Sequence, residues 1–168
     1  DARFKIASVY YFRHQYDSVL AYYREELKVN IEAANKAPHM IASAFENLKN
    51  LDSAQVYFGR AVTLFPQSRV PYENLGGFFE RYKRYDEAID SLERIRAVDP
   101  QFSTVDIRLA RALTFAGRPL EALRVLETRR AEPGVQHWMA HAYVLAGRRA
   151  EIERLAPAHD QPFRLAVI

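Results

Sequence analysis

The 168-residue chain contains no cysteine. Disulfide staples, thiolate nucleophiles and cysteine metal sites are therefore excluded, and the composition suits a reducing compartment, with the cytoplasm favoured. No apolar run approaches the roughly 18 residues that a membrane-spanning helix needs. No signal-peptide pattern is visible in the first residues. The chain starts on Asp1 and ends on "PFRLAVI", which reads as a piece of a longer protein. Glycine is scarce, at six residues, and none forms a loop that could cradle phosphate. The one glycine pair, Gly76-Gly77, falls inside a helical pattern. Charge of one sign is also lacking: 24 Lys and Arg face 21 Asp and Glu, a net +3. That excess is too small for a nucleic-acid-binding domain, although it tilts the chain toward acidic partners. No serine stands in a nucleophile-elbow context.

What the chain does have is a period. Ala54, Ala88 and Ala122 stand 34 residues apart, as do Pro66 and Pro100. A repeat of that length marks a stacked-repeat architecture. Within one period, Ala88, Ile89, Leu92, Ile95 and Val98 recur at helical spacing, with Asp86 expected to cap the start and Pro100 to stop the helix. Ahead of it, Tyr72, Leu75, Gly76, Phe79 and Tyr82 in residues 70–84 mark a first helix. The unit is helix, short turn, helix, break. A step back finds Ile41, Ala42 and Phe45, then Ala54, Phe58 and Ala61. A step forward finds Leu109, Ala110 and Leu113, then Gly117, Ala122 and Leu126. Residues 4–30 fit with one additional residue before the next unit, and residues 137–157 fit about four residues early. Small residues at Ala42, Gly76, Ala110 and Ala140 on the first helices, and at the three central alanines on the second, let paired helices approach closely.

The pattern resembles the tetratricopeptide repeat, carried by Leu75, Gly76, Phe79, Tyr85, Asp86, Glu87, Ala88, Leu92 and Pro100 and their equivalents. The family's early tryptophan is replaced by Tyr72 in the clearest unit. The later repeats, "AGRPLEALRVL" and "AYVLAGRRAEIERL", resemble those of bacterial members. The resemblance implies an all-α, right-handed superhelical solenoid of antiparallel helix pairs, with about five repeats. Their expected bounds are 1–34, 35–68, 69–102, 103–132 and 133–160, followed by a partial helix at 161–168, together forming a single domain.

The same resemblance implies a non-enzymatic protein-interaction scaffold that holds a partner segment in a concave groove lined by the first helices. The groove positions just off the packing stripe are Tyr11, His39, Asn47, Asn74, Arg81, Arg108, Arg111, His137, Trp138 and His141. The arginines, histidines and lone tryptophan toward the C-terminal end suit an acidic or aromatic segment, since Arg offers two-point contact with carboxylate and Trp an anchoring ring. The clamp by which some members hold a chaperone's terminal carboxylate is missing: its places carry Phe4 and Ser8, Met40, then Val70 and Asn74 or, one unit on, Thr104 and Arg108.

Other readings of particular residues are weaker. His137 and His141, four apart, could share a metal ion, but no third ligand lies nearby in sequence, so no metal and no cofactor are expected. The basic run "ERYKRYDE" (80–87) reads as tyrosines buried at a helix junction with charged heads in water. A nucleic-acid-binding helical repeat is the alternative from another class. Phe163, Leu165, Val167 and Ile168 could support self-association.

Overall fold

A computed structural model describes residues 2–29, 38–132, 134–148, 150, 151 and 154. Among the described residues there are nine α-helices and no strand. They are α1 (Ala2–Phe12), α2 (Tyr16–Val29), α3 (Pro38–Asn47), α4 (Leu51–Leu64), α5 (Arg69–Arg81), α6 (Tyr85–Val98), α7 (Thr104–Phe115), α8 (Pro119–Glu127) and α9 (Val135–Leu145). Odd-numbered helices are the first of each pair and even-numbered helices the second. The chain divides into two compact units, Asp1–Phe78 and Phe79–Ile168.

The repeat is written in the backbone as well as in the side chains. Left-handed backbone follows each first helix, at His14 (φ 58°), Lys49 (φ 64°), Lys83 (φ 58°), Gly117 (φ 77°) and Gly147 (φ 70°). Around each of them the chain makes the same pair of bonds. At Lys83, for example, its own N–H donates to the Glu80 carbonyl at 3.2 Å, and the Arg84 N–H reaches back to the Phe79 carbonyl at 2.9 Å. This is the Schellman ending, which satisfies carbonyls that a helix terminus leaves open. The central three positions keep the 34-residue period. His14 comes one residue earlier than the period requires and Gly147 four residues earlier, in line with the irregular outer units of the sequence.

The second helices start directly from these turns. Asn50 caps α4, its side-chain oxygen accepting from the Ser53 N–H at 3.1 Å. One period on, the structure departs from the sequence expectation: Arg84, not Asp86, is the cap residue of α6, and Asp86 lies exposed in the first turn. The reason is geometric. The Schellman turn ends at Lys83, so the helix begins one residue beyond it, and the Ala88 N–H already bonds the Arg84 carbonyl. Arg84 then folds onto Glu87, donating from Nε at 2.9 Å and Nη2 at 2.7 Å. Arg118 and Glu121 repeat this fork at the start of α8, at 2.7 and 2.9 Å. Both glutamates are held below the usual carboxylate range, chiefly by these bonds.

In the first unit α1 pairs with α2, α2 and α1 meet α3, and α3 pairs with α4. Its core joins Ala7, Val19, Tyr23, Met40, Ile41 and Ala44, ringed by tyrosines. Ala42 and Ala54 are fully buried at the close helix crossing, where a larger side chain would hold the backbones apart. Phe58 and Phe78 meet with ring centroids 5.5 Å apart. In the second unit α7 packs between α6 and α8, and α9 packs on both α7 and α8. Ala88, Ala110 and Ala122 are fully buried there, with Leu92, Ile95, Leu109 and Leu126 filling the space between pairs. Asp106, near the start of α7, accepts from Arg129 at 2.9 Å and pairs with Arg96 at 3.1 Å. One carboxylate thus ties α6 and α7 to the segment after α8.

Candidate interaction surface

The second unit gathers five of the sequence-selected residues on two first helices. Arg108 and Arg111 stand one turn apart on α7, and His137, Trp138 and His141 share a face of α9. Both arginines turn to a residue that sequence reasoning did not select. Glu80, in the last turn of α5, accepts from Arg108 Nη2 through one carboxylate oxygen at 2.5 Å and from Arg111 Nη2 through the other at 2.7 Å. The Glu80 side chain is only 12% exposed, and that of Arg111 is 40% exposed. Burial from water strengthens such charge-assisted bonds and holds the two guanidinium groups side by side. Both arginines thus have a partner within the chain. They are already braced by an internal carboxylate.

Aromatic rings continue the row. The Arg111 guanidinium lies 5.9 Å from the Trp138 ring centroid, within cation–π range. Phe115, one turn beyond Arg111, stacks on Tyr85 with centroids 5.3 Å apart and meets Trp138 and His141 edge-on at 6.1 and 5.9 Å. Trp138 also packs edge-on against His137 and His141. Phe115 nevertheless keeps 47% of its surface in water. The Nδ1 atom of His141 is buried without a hydrogen-bond partner among the described residues. No third ligand joins the two histidines there to make a metal cluster. Arg81 follows Glu80 at the end of α5 and is exposed.

The selected residues of the first unit do not form such a row. Tyr11 packs edge-on against Phe12 and Tyr16. His39 is exposed at the start of α3, yet the neighbouring groups take enough water from its ring to lower its pKa below the ordinary imidazole value. The Asn47 amide bends back to donate to the Ser43 carbonyl at 2.8 Å. Asn74 is half-buried on α5. The apolar C-terminal residues Phe163, Leu165, Val167 and Ile168 lie outside the described residues.

Glu80 was missed for an identifiable reason. It lies within the basic run 80–87, which reads as a solvated junction, and its partners are 28 and 31 positions away. The signal that could have found it is helical: Asn74 and Gly77 are one period before Arg108 and Arg111, and Glu80 is one turn beyond Gly77 on the same face.

Comparison with known proteins agrees with the architecture. Tetratricopeptide repeat profiles match residues 37–68 and 81–142. Small glutamine-rich tetratricopeptide repeat-containing protein 2 of Mycosarcoma maydis is 32% identical over 79 residues, 47% of this chain. The match spans 22% of that relative's length. Among solved structures, MamA superposes with a TM-score of 0.75 at 19% identity, covering 92% of this chain and 86% of MamA. The structure of pilF from Pseudomonas aeruginosa superposes with a TM-score of 0.64 at 21% identity, over 92% and 72% of the two chains. At those identities the likeness concerns the fold: an all-α solenoid of antiparallel helix pairs.

Proposed function

Because the chain belongs to the tetratricopeptide repeat family, whose fold is generally a non-catalytic scaffold, we propose that it binds a segment of a protein partner along its first helices. The observation that supports this most is the row Glu80, Arg108, Arg111, Phe115 and Trp138. It combines braced arginines with aromatic rings that are half in water, the residue types that dominate binding energy at interfaces. Residues serving only the packing between repeats would be buried or plainly aliphatic. Repeat scaffolds present such surfaces on successive units, so a segment laid across them meets several helices in turn. No described helix is long and apolar enough to cross a membrane.

The nucleic-acid alternative draws no support from the charge distribution. Arginines at 69, 84, 96, 108, 111, 118, 129 and 130 all pair with carboxylates of the chain. A phosphate-binding stripe needs cations left over in quantity.

Random-peptide display against the immobilised chain tests the proposal. Selection should enrich peptides that bind the native chain and lose binding when Trp138 is replaced by Ala. Failure to enrich any peptide, or equal binding to the W138A variant, would overturn the assignment. Single-stranded RNA binding that falls steeply with salt would establish the alternative instead.

A further inference from the structure

The two arginines of the row share one carboxylate, so the cluster carries a surplus of one positive charge. Arg108 and Arg111 each donate to Glu80 through Nη2, and no other carboxylate pairs with either among the described residues. An arginine has five N–H donors in a fixed fork, so each guanidinium retains donors for a second acceptor. Arg111, 40% exposed, offers them toward water. Phe115 stands four residues further along α7, about 6 Å up the helix axis, with nearly half of its surface uncovered. Tyr85, Trp138 and His141 bracket its ring. A cationic point and an apolar platform therefore lie one helical turn apart.

Resting on the scaffold reading above, we propose that this part of the second unit recognises an internal acidic residue of an extended partner segment, with an apolar side chain two positions away. Charge complementarity selects a single carboxylate, because one negative charge neutralises the surplus. Spacing selects the second residue. In an extended chain, alternate side chains point the same way and stand roughly 6.6 Å apart, close to the Arg111-to-Phe115 separation. Adjacent residues would point to opposite sides. Glu80 stays in place as the brace that keeps both guanidinium groups aligned before the ligand arrives, which lowers the ordering cost of binding.

Trp138 is the only tryptophan in the chain, so its emission reports on this site directly. Three tryptophan-free octapeptides, capped at both ends, form the test: one carries Leu-Ser-Glu-Ser-Leu, one Leu-Ser-Gln-Ser-Leu and one Leu-Glu-Leu in a Ser/Gly background, so that either chain direction is offered. The first should shift Trp138 emission and bind at least about tenfold more tightly than the other two, as expected for a charge-assisted contact. Arg111→Gln should abolish the preference for Glu over Gln, with its folding checked by circular dichroism. Equal binding of the Glu and Gln peptides, or no response to any of the three, would overturn the inference. Display-selected peptides that depend on Trp138 but contain no acidic residue would overturn it too, while leaving the scaffold assignment standing.

Discussion

Tyr23 shows how much one side chain can hold. It is 4% exposed and its hydroxyl points at the Met40 sulfur, 3.9 Å away. Ionisation would leave a phenolate in apolar surroundings, so burial, with a smaller contribution from neighbouring Tyr22, pushes its pKa up to about 12. In the unfolded chain the same phenol ionises near pH 10. As pH rises through 10 the unfolded state loses its proton first. The stabilisation is therefore complete below pH 10 and is lost between 10 and 12, by about 3 kcal/mol in all. Urea unfolding of the native chain and of Tyr23→Phe from pH 9 to 12 checks this: the native chain should lose more stability over the range. Parallel curves would show that the phenol is not the titrating group. That residues 4–30 form one repeat unit was legible in the sequence. That Met40 would face the hydroxyl was not, because the contact crosses from α2 to α3.

At the level of the helix, the recurring turn matters most. Five first helices end in left-handed backbone, two of them on glycine and three on His14, Lys49 and Lys83. A Cβ at Gly117 would meet nothing within 4 Å, so a substitution there strains the backbone alone. Gly117→Ala should cost about 1 kcal/mol, the penalty for an L-residue in this region. Lys83→Gly should act the other way and stabilise by up to about 1 kcal/mol, part of the gain being offset by the freedom of glycine in the unfolded chain. Thermal and urea melts of the two variants check both signs. Equal effects in the same direction would contradict the turn assignment. The sequence had placed Gly117 between the two helices of its unit. Lys49 and Lys83 were not so placed, because lysine carries no local preference for left-handed backbone and only the periodicity marks its place.

Within each compact unit the helices pack mainly on their neighbours in sequence, as a stacked repeat requires. The repeat makes a direct comparison possible. Leu109 and Ala112 on α7 are each 1% exposed, between α6 and α8. Their equivalents on α1, Ile6 and Val9, are 47% and 48% exposed, and that helix packs chiefly on α2. Native-state hydrogen exchange should therefore protect α7 amides at least about tenfold more than those of α1, since local opening is easiest where few apolar contacts are lost. Equal protection throughout would indicate a single cooperative body. Helix pairing and the small residues at the crossings were legible from the period. The Glu80 brace was not, since nothing local in 80–87 distinguishes it from a solvated glutamate.

The sequence alone determined the architecture, because alanines and prolines returning at fixed intervals admit few ways of burying apolar faces other than stacked helix pairs. Tertiary structure decided the electrostatics of the candidate surface. Whether an arginine is spare or committed depends on which carboxylate comes within about 3 Å of it, and here that carboxylate lies on the preceding first helix. A periodic pattern specifies which face a side chain occupies. Only the packing of one helix against the next specifies what it meets there.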